Sequence, residues 1–246
     1  MFNRLRILTF MFITAVLAGT AIAAPAGMVR SELNKGWRFR QARLQQWRTA
    51  IVPGVVHTDL LAHGLIEDPF FRLNERAAQW VDKEDWVYET TFDIPVNMLG
   101  NRNYRLVFNG LDTYADVELN GEKILSADNM FRRWPVDVSD KLKERGNVLQ
   151  VYFHSPIKID IPKWEALPYH YEAGNDQSQN GGLFGKQVSI FARKAGYHYG
   201  WDWGPRLVTS GIWRPVVLES WNDARIEDLA FQTKCLGKRK AEMVDI

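Results

Sequence analysis

The sequence predicts an all-β fold, a β-sandwich or jelly roll built from many short strands. Three observations carry that reading. Several segments alternate apolar and polar residues with a period of two, few show a helical period, and Gly, Pro and Asn punctuate the segments at short intervals. Such spacing is the usual mark of antiparallel sandwiches and jelly rolls.

The elements follow in order. The Pro53-Gly54 turn precedes one short helix, predicted over Thr58 to His63 and ended by Gly64. In Asp85-Trp86-Val87-Tyr88-Glu89-Thr90-Thr91-Phe92, residues Trp86, Tyr88, Thr90 and Phe92 fall on one face of a strand. Tyr104 to Phe108 is a second apolar run. Ala115 to Leu119 and Lys123 to Leu125 flank Asn120-Gly121, a dipeptide that accepts positive φ at both turn positions and so predicts a tight hairpin. Val148 to Phe153 puts Leu149, Val151 and Phe153 on one side, and Val216 to Glu219 alternates again. Between His154 and Gly200 the alternation stops. Pro156, Pro162 and Pro168 interrupt it, and the aromatics Trp164, Tyr169, Tyr171, Phe184, Phe191, Tyr197 and Tyr199 argue for an ordered loop framing a site. Ala224 to Phe231 reads as the first strand of a second module, beginning near residue 223.

The chain has 246 residues, with 31 Lys and Arg against 29 Asp and Glu. Arg4 and Arg6 belong to a leader; without them the charges balance, which removes the electrostatic footprint of a nucleic-acid binder. Residues 1–24 have the parts of a secretory signal: the two arginines, the apolar run Ile7 to Leu17, and Ala21-Ile22-Ala23 before a cleavage point after Ala23 or Ala24. The run is short for a membrane span, so the mature chain is expected to be secreted or periplasmic and free of the membrane. Cys235 is the single cysteine, which rules out a disulfide framework.

The sharpest chemical feature is Gly200-Trp201-Asp202-Trp203-Gly204-Pro205. Two indoles flank one carboxylate, the set a pyranose needs: aromatic faces against C–H surface, and a charged acceptor for hydroxyls. On a strand, neighbouring side chains point oppositely, so either the segment is a turn or one indole belongs to the core. The competing view makes both indoles core and Asp202 a turn cap. His57-Thr58-Asp59 is read as helix capping by Thr58 or Asp59 with His57 packed at the turn, not as a catalytic pair. Glu75, beside Asn74, is read as structural or rim, since glycoside hydrolysis needs two carboxyls and no partner is evident. Asp82, Glu84 and Asp85 are read as a solvated approach to the first strong strand. There is no Gly-x-Ser-x-Gly, no phosphate loop, no dinucleotide fingerprint and no metal spacing among the five histidines, so no cofactor and no metal are expected.

Several segments together resemble one family. They are Val52-Pro53-Gly54-Val55-Val56-His57-Thr58-Asp59-Leu60, Asp68-Pro69-Phe70, Asn74-Glu75, Gln79-Trp80-Val81 and Asp85-Trp86-Val87-Tyr88. They continue through Asn109-Gly110-Leu111-Asp112-Thr113, Leu119-Asn120-Gly121, Asn129-Met130-Phe131, Arg193-Lys194-Ala195-Gly196-Tyr197-His198-Tyr199 with Gly200 to Pro205, and Gly211-Ile212-Trp213-Arg214. In this order, from Leu33 to Phe231, they resemble the amino-terminal part of glycoside hydrolase family 2 β-mannosidases. The resemblance implies a galactose-binding-domain-like jelly roll over 25–222, then the truncated start of an immunoglobulin-like sandwich over 223–246. In the family a (β/α)₈ barrel follows. It carries two glutamates and removes terminal non-reducing β-mannose with retention. The resemblance further implies that Trp201, Asp202 and Trp203 reach the terminal sugar, with Asp202 as the hydroxyl ligand. The implied partners are a β-mannoside or mannose-terminated oligosaccharide and the catalytic barrel. The family's Asn-Glu acid/base lies in the barrel, so Asn74-Glu75 does not inherit it. No catalytic residue can be assigned in this chain, and hydrolysis by the chain alone is not expected. The alternatives are a stand-alone lectin-like mannoside binder and a purely structural scaffold.

Overall fold

A computed structural model describes residues 27–236 and 241–245. The leader predicted over residues 1–24 lies outside the described residues. Two antiparallel sheets face one another. The first has four strands: β1 (Val29–Glu32), β10 (Val216–Trp221), β5 (Asn103–Phe108) and β8 (Trp134–Asp137), in that spatial order. The second has six: β3 (Arg48–Thr49), β2 (Arg38–Gln41), β4 (Trp86–Phe92), β9 (Asn147–Phe153), β6 (Ala115–Leu119) and β7 (Glu122–Ala127).

The core forms where the period-two faces of both sheets meet. Leu106 and Phe108 of β5 and Val216 and Leu218 of β10 pack against Phe39, Tyr88, Val117, Leu149, Val151 and Phe153 from the six-stranded sheet. The alternate residues of β5 and β10, namely Arg105, Val107, Val217 and Glu219, turn to the outer face of the four-stranded sheet. Asn120 and Gly121 adopt φ of 55° and 85° between β6 and β7, as the hairpin dipeptide requires. The predicted helix is present as α1 (Val56–Ala62), with Gly64 at positive φ just beyond it. A single turn, α2 (Asn74–Ala77), precedes β4.

Two expectations are corrected. The stretch from His154 is not loop throughout: it opens with α3 (Pro156–Ala166). Both prolines look like breakers in sequence, but Pro156 sits in the first turn, where its missing N–H is not needed, and Ser155 Oγ caps the helix by accepting from Lys158 N at 3.1 Å. Pro162 removes one internal bond, and burial of Ile157 in a second apolar cluster holds the helix in place. That cluster joins Ile157 to Leu183, Val188, Ala192, Tyr199 and Val208, so the remaining loop is an ordered layer over α3. Second, Ala224 to Phe231 is not a strand. The paired strands are β11 (Gln232–Leu236) and β12 (Ala241–Asp245), which bond to each other. Ile226, Leu229 and Phe231 are exposed, and the segment has no neighbouring strand among the described residues, so its apolar alternation finds no sheet to join.

Candidate functional site

The Trp-Asp-Trp segment is a turn. A short 3₁₀ helix, Gly196–Tyr199, leads into Gly200 at φ 118°. Trp201 then bridges to Gly204 across the apex formed by Asp202 and Trp203. The two indoles meet edge-on with centroids 6.3 Å apart. Trp203 is 82% exposed, Trp201 is half-buried, and neither belongs to the core. Asp202 is exposed, and its carboxylate accepts no hydrogen bond from the described residues. The apex therefore presents an exposed carboxylate, unpartnered among the described residues, whose two neighbours in the chain are indoles.

The turn is held from beneath. On the entry side, Gln177 N donates to Tyr199 O at 2.9 Å, and Gln177 Nε2 donates to Trp201 O. Gly200 is required there: besides its positive φ, a Cβ would lie 2.6 Å from Gln177 Cγ. On the exit side stands Arg206, whose side chain is fully buried at 0% exposure. Its Nη1 donates to Gln79 Oε1 and to Asp82 Oδ2, each at 2.6 Å. The Arg206 backbone is fixed as well: its N donates to Glu75 Oε1 at 2.8 Å, and its O accepts from Gln79 Nε2 at 2.8 Å. Gly181 lies against the guanidinium so closely that a Cβ would fall 2.5 Å from Arg206 Cζ.

A second buried network lies behind the 3₁₀ helix. Lys194 Nζ pairs with Asp112 Oδ1, both side chains being fully buried, and also donates to Thr209 O at 2.9 Å. Thr209 Oγ1 donates to Asp112 Oδ2 and meets His198 Nδ1 at 2.8 Å. Burial pushes the Lys194 ammonium down, against the pull of Asp112. Burial, with the Lys194 charge, lowers His198 to about 4.

Residues 37–214 match the family model described as glycosyl hydrolase 2 galactose-binding domain-like. The chain belongs to that family. This glycosyl hydrolase 2 domain is 42% identical over 205 residues to a β-mannosidase B of Thermothelomyces thermophilus, a match covering 82% of this chain and 23% of that protein. It is 39% identical over 202 residues to a β-mannosidase B of Emericella nidulans, covering 80% and 23%. Among solved structures, a β-D-mannosidase from Dictyoglomus thermophilum superposes with a TM-score of 0.77 at 41% identity, covering 85% of this chain and 24% of that one. A β-glucuronidase from an uncultured Clostridium sp., at 19% identity and a TM-score of 0.53, shares the fold. The chain spans about a quarter of the length of the relatives it matches.

Within this glycosyl hydrolase 2 domain, the other residues singled out in the sequence fall as follows. Glu75 is structural, and its role is to hold the backbone of Arg206. His57 is buried at its turn, and burial followed by the Lys194 charge lowers it to about 3. Asp59 does not cap α1, but Thr58 helps to close its N-terminus from the third helical position, its Oγ1 accepting from Val55 N at 3.4 Å. The cap position is Val55, whose carbonyl accepts from Thr58 Oγ1 at 2.7 Å. Asp59 instead turns inward to accept from Ile51 N and Tyr88 OH. Asp82 is not solvated. It is buried as the ion-pair partner of Arg206, because that guanidinium needs an acceptor in the interior. Sequence reasoning missed Arg206, Gln79, Gln177, Lys194 and Asp112. Each works through a partner distant in sequence, so none carries a local spacing signal.

Proposed function

We propose that this domain is the sugar-gripping part of a β-mannosidase. In this reading Asp202 accepts hydroxyl hydrogen bonds from a terminal β-mannoside, and Trp201 and Trp203 pack against its C–H surface. The single supporting observation is the exposed, unpaired Asp202 carboxylate flanked by two indoles on a turn that buried Arg206 holds. Identity of about 40% to β-mannosidases supports the choice of sugar. Cleavage with retention needs two carboxyls about 5–5.5 Å apart, which belong to a separate catalytic body closing over the turn. The domain boundaries at 25–222 and 223–246 and a secreted or periplasmic location complete the reading.

The test is a chimaera in which this chain replaces the matching quarter of the Dictyoglomus thermophilum enzyme. With an aryl β-mannoside, Asp202→Ala should lower kcat/KM roughly 10- to 150-fold, the worth of a hydrogen bond to a charged group. A change within about twofold refutes the assignment and leaves a scaffold role. By itself the chain should neither turn over the substrate nor bind mannose more tightly than about 1 mM. Tighter binding would instead establish the stand-alone lectin-like reading.

A further inference from the structure

The outer face of the four-stranded sheet carries a concave site that shares no residue with the Trp-Asp-Trp turn. It encloses about 540 Å³ and is lined by Arg30 and Glu32 of β1, Val107 of β5, Val217 and Glu219 of β10, and Asn109 and Arg133. That volume lies within the roughly 300–1,000 Å³ of small-molecule clefts.

Its charge arrangement is unusual. Glu219 is 1% exposed, yet four guanidiniums converge on it, those of Arg30, Arg105, Arg133 and, at 3.9 Å, Arg225. Arg30 Nη2 and Arg133 Nη2 both reach Oε1, at 3.0 Å and 3.2 Å, while Arg105 Nη2 holds Oε2 at 2.5 Å. Burial pushes the Glu219 carboxyl up, but Arg105, Arg30 and Arg133 outweigh it and hold the group below the usual carboxylate range. Arg105 turns its remaining Nη1 to Glu227 at 3.0 Å. Glu227 also pairs with Arg225, so two carboxylates, Glu219 and Glu227, stand against four guanidiniums and leave positive charge over. Arg30 and Arg133, whose side chains are 60% and 46% exposed, keep further N–H groups free of hydrogen bonds to the described residues. Two guanidinium forks on one anchor make a receptor for a planar carboxylate.

The rest of the lining specifies the body of the ligand. Asn109 spends its amide N–H on Pro215 O at 2.9 Å, and Glu32 is held by Asn34 Nδ2 at 2.6 Å. Asn109 Oδ1 and the second oxygen of Glu32 remain as acceptors for hydroxyl donors. Val107 and Val217 supply an apolar floor. A bare phosphate would leave those acceptors and the floor unused, and Glu32 would repel a dianion. We infer that this cavity binds a hydroxylated carboxylate, an acidic sugar of the hexuronate class, with Arg30 and Arg133 gripping its carboxylate.

Titration calorimetry on the whole chain, with D-galacturonate, D-glucuronate, D-mannose and inorganic phosphate, tests this. A uronate should bind where mannose and phosphate do not. Arg133→Gln should weaken uronate binding at least tenfold, and Val217→Trp should fill the cavity and abolish it. Asp202→Ala should leave it unchanged. Circular dichroism and thermal unfolding establish that each variant is folded. Uronate binding undetectable at about 10 mM, which corresponds to less than roughly 3 kcal/mol, overturns the inference. Equal binding of phosphate, which marks a general anion patch, overturns it too. So does an acidic peptide binding more tightly than any uronate, which marks a docking surface for protein.

Discussion

Replacing Arg206 with Met should cost far more than its position next to a surface turn suggests. The guanidinium is fully buried and donates to Gln79 Oε1 and Asp82 Oδ2. Methionine preserves much of the volume but removes the charge. Asp82 is then left buried, with Lys83 Nζ at 3.6 Å as its remaining cation. Stranding one member of a buried ion pair costs about 3–5 kcal/mol, against roughly 5–15 kcal/mol for a whole domain. At about 2–4 °C per kcal/mol for a chain of this size, thermal unfolding followed by circular dichroism should fall by about 6–20 °C. Adding Asp82→Leu removes the stranded charge, and the double variant should recover most of the loss, because an apolar pair of similar volume replaces a buried ion pair with little or no penalty. A fall of less than about 2 °C in Arg206→Met, or a double variant no more stable than the single, would refute the assignment of Arg206 as an interior tie.

Three further outcomes follow from the same geometry. Asp202→Ala should change stability by no more than about 0.5 kcal/mol in urea unfolding, since the carboxylate is exposed and unpaired; a larger loss would give Asp202 a structural role. Gly200→Ala should destabilise by about 1–3 kcal/mol, because φ is 118° and the new Cβ meets Gln177; unchanged unfolding with unchanged indole fluorescence would contradict this. Burial holds His57 near 3 and His198 near 4, against 6.5 for an exposed histidine in the unfolded chain, so the unfolded chain binds more protons below pH 6.5. Stability from these groups is fully present above pH 6.5 and is lost as pH falls toward 4 and then 3, at up to about 1.4 kcal/mol per pH unit for each histidine. Comparing urea unfolding at pH 7 and 5.5 in the parent and in a His57→Gln, His198→Gln variant reads this directly, and an equal pH response in both would reject it.

The strands were legible because their signal is local. Leu149, Val151 and Phe153 declare a face by period alone, and Asn120-Gly121 declares its hairpin by its two positive φ angles. The apex was legible for the same reason: two indoles and a carboxylate stand in consecutive positions. What holds the apex was not. Arg206 and Asp82 lie 124 residues apart, and Asp112 and Lys194 lie 82 apart, so no window of sequence contains either pair. Asp82 stood instead in a run of charges that reads as solvated until its partner is known. Helix α3 was hidden because a proline in the first turn and a proline in the interior look alike in sequence and differ only in which N–H is missing.

The polar interior and the exposed apex explain one another. A turn that shows an indole at 82% exposure and a bare carboxylate gains little from burial, and the edge-on contact of Trp201 with Trp203 contributes only about 0.5–1.5 kcal/mol. Its conformation must be fixed at its two ends. At one end the bonds from Gln177 hold the backbone of Tyr199 and Trp201. At the other, Glu75 and Gln79 hold the backbone of Arg206 while Asp82 holds its side chain. Buried charges of this kind rarely add net stability over apolar packing. Their value lies in direction, since a charge-assisted bond fixes an angle that an apolar contact would leave loose. Substitutions at the apex should therefore alter sugar handling and spare the fold, whereas substitutions at the two ends should alter both.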